Sequence, residues 1–156
     1  AIPDIGIPYA WGDYLQLGAP AKSERYYNVY EIEPQPAGDF AKHVAARTAK
    51  LGQSTIGFYG DPDRTIQSIG LGTGCISQAP KIRSMGADLA ISVDDVVRAW
   101  IDGEMSQDTG HPLIVVNHCV SEEPGIITLA EYIDQAFPEI PVTHLPQSCT
   151  FQSITA

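Results

Sequence analysis

The chain is poor in cysteine: Cys75, Cys119 and Cys149 are its three, among 156 residues. So odd and sparse a set excludes a disulfide framework and points to a reducing, cytoplasmic compartment. Basic residues are also scarce. Nine Lys and Arg stand against 19 Asp and Glu, for a formal net charge of -10, and that balance repels the phosphate backbone which a nucleic-acid binder must neutralise. Nucleic acid is therefore set aside as a partner. Long apolar runs are missing too: stretches such as Leu113 to Val116 fall far short of the ~20 residues that span a bilayer, and no signal-peptide pattern opens the chain. Membrane insertion is not expected. The chain opens at Ala1 without a methionine, which reads as a processed chain or a fragment of something longer.

What is present suits one globular unit. With 44% hydrophobic residues the chain can bury a core without staples, and we expect a single α/β domain over 1–156, with residues 1–24 an irregular lead-in and 25–152 the core. Within the lead-in, "YAWGDYLQLG" suggests a helical turn closed by Gly18. Residues 25–33, "RYYNVYEIE", alternate with period two and predict a strand. A helix is expected from an Asp39 cap through Leu51, stopped by Gly52. Residues 54–72, with "DPDR" between two short apolar runs, read as a hairpin.

Beyond Gly72 the pattern alternates. "CISQAPKIRSMG" predicts a short helix, "ADLAIS" a strand, "VDDVVRAWIDGEM" a helix and "PLIVVNH" a strand. In "EEPGIITLAEYIDQAF", Ile126, Leu129, Ala130, Ile133 and Phe137 fall on one helical face, and "IPVTHL" is read as a last strand. This alternation predicts a mixed, mainly parallel sheet with helices packed on its faces.

In such folds ligands bind beyond the carboxyl ends of the strands. His118 and Glu122 follow the run "LIVVN" there, four residues apart, so both can converge on one ion of zinc, iron or manganese type. Ser121 as a cap, with Glu122 and Glu123 complementing the helix dipole, accounts for the same residues without a metal. "GLGTGCIS" lacks the third small position of a dinucleotide fingerprint and no GK[ST] follows it, so no nucleotide motif is present. Cys75, expected at a helix start, opens a separate class of chemistry, a thiolate nucleophile with His118 as base. Asp94 and Asp95 suit either ligation or capping.

The run from "GFYGDPDRTIQSIGLGTGCIS" through "MGADLAIS" to "NHCVSEEPGIITLAEYIDQAFPEIPVTHLPQS" resembles the C-terminal half of the NIF-three-like proteins, a family labelled as GTP cyclohydrolase I type 2 homologues. The resemblance covers residues 38–152. It implies an α/β fold, a dinuclear divalent-metal centre with His118 and Glu122 as ligands, and homo-oligomers that can be large rings. Asp4 stands near the place of a further family ligand. The family's paired-histidine motif has no counterpart in this sequence, and Arg98 occupies the place of another family histidine. The expected function is thus a metal-dependent hydrolase of unknown substrate, with a missing N-terminal half or a partner chain supplying the other ligands. The alternative is a non-catalytic oligomeric scaffold or regulatory module.

Overall fold

The computed structural model describes residues 5–154. In chain order its elements are α1 (Ile7–Tyr14), β1 (Lys22–Glu24), β2 (Tyr27–Pro36), α2 (Ala37–Thr48), β3 (Gly57–Tyr59), β4 (Thr65–Leu71), α3 (Ala79–Ser84), β5 (Leu89–Val93), α4 (Glu104–Thr109), β6 (Leu113–Val116) and α5 (His118–Ala136). The strands form one six-stranded sheet in the order β1-β2-β4-β5-β6-β3. Its centre, β4-β5-β6, is parallel, and antiparallel strands flank it on both sides. This is the mixed α/β architecture that the alternation predicts.

Burial explains why the parallel centre reads as apolar runs. Every residue of β5 is buried, as are Leu113, Ile114 and Val116 of β6, because helices cover both faces. On one face Trp11 and Leu15 from the α1 end, with Phe40 and Val44 of α2, pack over Ile66, Ile91 and Ile114. On the other, Ala79 and Ile82 of α3 pack with Met85 against Val29, Ala90 and Leu113.

Several local expectations are corrected. The lead-in is structured where described, carrying α1 and β1; α1 ends at Tyr14, and Gln16 at φ +63° makes a first left-handed turn before Gly18 at φ +74°. Helix α2 starts at Ala37, so Asp39 lies in its first turn and is not its cap. Residues 54–72 hold two strands but no hairpin, since β3 pairs with β6 and β4 with β2 and β5. Gly60 lets the chain run close to the segment that enters β6. It sits at φ +91°, and a Cβ there would lie 2.7 Å from the carbonyl oxygen of His111, so the chain after β3 is pressed against the start of β6 instead of folding back. In "VDDVVRAWIDGEM" a turn comes first, then a π-helical turn (Ala99–Gly103), and only then α4. "IPVTHL" adopts no regular structure.

Helix α5 begins at His118, earlier than its apolar periodicity suggests. Its first two turns do the packing: Val120, Ser121, Glu123, Pro124 and Gly125 are buried, and a Cβ on Gly125 would meet Ile7 of α1 at 2.7 Å. The apolar row farther along stays open, with Ile126, Leu129 and Phe137 between 44% and 51% exposed.

Candidate functional site

The three parallel strands deliver their carboxyl ends to one place. The glycine loop follows β4, Asp94 and Asp95 follow β5, and Asn117 and His118 follow β6. Asp94 closes the N-terminus of α5 from the neighbouring strand. Its Oδ1 accepts the backbone N–H of His118 at 3.0 Å and its Oδ2 accepts the Asn117 side-chain amide at 2.8 Å. A carboxylate at this end also complements the helix dipole. Capping is therefore done by Asp94. Ser121, expected to cap, lies inside the helix, donates to the His118 carbonyl at 2.8 Å and accepts the N–H of Gly74 at 3.4 Å.

Asp95 takes a different role. Its Oδ2 lies 2.5 Å from Nδ1 of His118. A carboxylate accepts, so Nδ1–H donates, and in the neutral ring Nε2 is left with its lone pair free. That nitrogen lies 3.5 Å from Oε1 of Glu122. The hydrogen bond that Nδ1–H donates to Asp95, reinforced by the Glu122 charge, raises the imidazole pKa above its ordinary value. Gly74 presses on the pair from the other side: at φ +55°, it has no room for a side chain, since a Cβ there would sit 2.3 Å from Glu122 Oε1 and 3.0 Å from His118 Nε2. The glycine loop thus serves close approach, consistent with its lack of a nucleotide motif.

Two clefts open on the pair. One, of about 440 Å³, runs between Asp95, Asn117, Glu123 and the returning segment at Gln147 and Thr150. That segment is strapped to α5 by the N–H of Gln147 donating to Glu123 Oε2 at 3.3 Å and by Asn117 donating to Thr150 at 2.8 Å. Glu123, which the sequence places as a dipole partner in the first turn, is buried, and His144 Nε2 comes within 2.8 Å of its Oε1 at an angle that falls short of a hydrogen bond. The second cleft, of about 400 Å³, lies on the Cys75 side and is largely apolar.

Of the residues singled out in the sequence, His118 and Glu122 are brought together. Asp4 lies outside the described residues. Cys75 sits in a short 3₁₀ turn, exposed, and shares the second cleft with His118 without a hydrogen bond to it among the described residues. Arg98 turns to Asp102, whose carboxylate accepts its backbone N–H at 2.9 Å. Sequence reasoning does not single out Gly74 for this site and leaves Asp95 between ligation and capping; the adjacent acids that end the buried run "LAIS" are the signal for Asp95.

An imidazole nitrogen and a carboxylate oxygen suit zinc, iron or manganese, and a carboxylate behind the imidazole is the usual support for a ligating histidine. Among the described residues no group of three or more His, Cys, Asp or Glu converges. The donor types fit such an ion; the set is two.

Residues 13–149 match the family described as Duf34/NIF3 (NGG1p interacting factor 3), farther toward the N-terminus than the resemblance read in the sequence. Protein ybgI, of unknown function, shares the fold at 22% identity and a TM-score of 0.71, over 86% of this chain and 53% of that one. So does TTHA1606 from Thermus thermophilus, at 16% identity and 0.66, over 94% and 58%. Staphylococcus aureus protein SA1388 follows at 21% and 0.65, over 82% and 37%. At these identities the likeness establishes the fold alone. The chain spans from 37% to 58% of the length of these three proteins. No curated protein matches closely enough to count as a relative.

Proposed function

The chain belongs to the Duf34/NIF3 family, and from that premise we propose that it is a divalent-metal-binding part of a metal-dependent hydrolase, with the ion held by His118 and Glu122. One observation carries the reading: Asp95 fixes the His118 tautomer so that Nε2 faces Glu122 Oε1 at 3.5 Å. When bound, a zinc, iron or manganese ion supplies Lewis acidity and lowers the pKa of water. His118 and Glu122 orient the site, Gly74 keeps one flank free of side chain, and Asp95 holds the proton of the neutral ring on Nδ1. Two protein donors hold an ion loosely, so the remaining ligands come from Asp4, from a missing N-terminal half or from a partner chain. We assign the protein to the cytoplasm on its sparse cysteines; no helix among the described residues is long and apolar enough to cross a membrane.

A second reading has its own support. The row Ile126 and Leu129 on α5, with Phe137 just past its end, stays exposed, as expected for a homo-oligomeric scaffold with an incomplete metal site. Elemental analysis of the purified chain beside His118→Ala, with sizing before and after chelation, separates the two. Near-stoichiometric metal lost in the variant supports the hydrolase reading; an assembly that binds no metal and ignores the chelator supports the scaffold.

A further inference from the structure

We propose that the apolar cleft on the Cys75 side of the His118–Glu122 pair is the substrate pocket, and that its walls select a flat, ring-bearing molecule that is not an anion. Calling that ligand a substrate rests on the metal reading above; the binding itself does not.

The cleft, about 400 Å³, is the size of a small-molecule site. Its walls come from segments far apart in sequence: Ile7 and Pro8 at the start of α1, Tyr26 from the β1–β2 turn, and Thr73, Cys75 and Ile76 from the glycine loop. His118 and Glu122 complete the lining, so a molecule seated here touches both the apolar walls and the candidate ligand pair. Apolar walls with a few convergent polar groups are what orient a small ligand.

Charge narrows the class. Among the described residues no Lys or Arg lines the cleft, and Glu122 contributes a carboxylate. With no metal bound, a phosphorylated or carboxylated ligand would leave its anion beside Glu122 without a cation to meet it, in a chain of net charge -10. The protein lining therefore selects against an anion.

Tyr26 supplies the flat surface. Glu24 pairs with Tyr27, so Arg25 and Tyr26 alone make the hairpin loop. Arg25 takes φ +55°, a position where such loops favour glycine. Non-glycine residues held in this region collect at ligand sites. The strained turn leaves Tyr26 at the cleft, 47% exposed, and an aromatic ring there suits offset stacking.

The test uses benzamide as the neutral probe and phenyl phosphate as the anionic one, titrated by ligand-observed NMR into metal-free parent, Tyr26→Ala, Tyr26→Phe and His118→Ala. Expected are saturable benzamide binding, roughly three- to tenfold weaker in Tyr26→Ala and restored in Tyr26→Phe, with phenyl phosphate at least about tenfold weaker in the parent. No benzamide binding, equal binding in Tyr26→Ala, or preference for phenyl phosphate would each overturn the pocket. Elemental analysis of the parent and His118→Ala is read separately. Benzamide binding in a chain that takes up no metal keeps the pocket and removes the hydrolase reading, whereas metal uptake without benzamide binding does the reverse.

Discussion

The Asp95 carboxylate stands 2.5 Å from Nδ1 of His118, on the opposite side of the ring from the nitrogen that faces Glu122. An imidazole anchored in this way is fixed in both tautomer and orientation. Removing such a supporting carboxylate weakens metal affinity by about 10- to 100-fold in known sites. We predict that loss for Asp95→Ala, measured by competition with a chromogenic chelator. Folding should change little, because the Asp95 side chain is 56% exposed and exposed ion pairs contribute about 0–1 kcal/mol. Unchanged metal affinity in the variant would mean that Asp95 does not support a ligand.

Asp94 is the neighbour with the opposite profile. It caps α5 and holds Asn117, so Asp94→Ala should destabilise the fold by about 1–2 kcal/mol, the scale of a lost helix cap. Urea denaturation checks this, and the midpoint should fall without a change in slope. An unmoved midpoint would show that the N-terminus of α5 is satisfied by other means.

Much of this arrangement is legible in the sequence, and the limits have physical causes. The buried runs of β5 and β6 announce a sheet covered on both faces, and His118 with Glu122 announces itself by spacing at a strand end. Asp95 does not, because its relation to His118 spans 23 positions and depends on β5 lying beside β6. The pairing of β3 escapes a sequence reading for a similar reason: a strand's partner is a tertiary choice, and β3 takes β6, far along the chain, with Gly60 permitting the close approach to His111. The apolar row of α5 has the right period for a packed face, yet period cannot tell whether a chain covers that face with itself. Gly74 is legible only as a glycine, since what it must clear lies on another element.

That clearance yields a third prediction. Gly74→Ala places a methyl group where Glu122 Oε1 now sits, and it asks a non-glycine residue to hold φ +55°. The backbone cost is about 1–2 kcal/mol, and Glu122 must swing away from His118. The variant should fold with a lowered urea midpoint and lose metal uptake, while Gly18→Ala, whose Cβ meets nothing within 4 Å, should show only a backbone cost. Metal uptake equal to the parent in Gly74→Ala would show that Glu122 is not a ligand in its present position.

His111 provides the pH dependence. It is buried at 8% exposure and its Nε2–H donates to the Ala87 carbonyl at 3.0 Å. Burial, only partly offset by that hydrogen bond, lowers its pKa below the ordinary 6.5. The sign follows from which state takes the proton first. As pH falls, the unfolded chain protonates at the ordinary value while the folded one still resists, so the fold loses stability from about pH 6.5 downward until the lower folded value is passed. Above that window the contribution is complete. Other carboxylates titrate at lower pH, so the test is a difference: urea midpoints at about pH 7.5 and about pH 5.5 for the parent and for His111→Gln, which keeps an N–H donor but cannot take up a proton. The parent should lose more stability than the variant between the two conditions. Equal losses would mean that His111 is not the group that sets this part of the acid response.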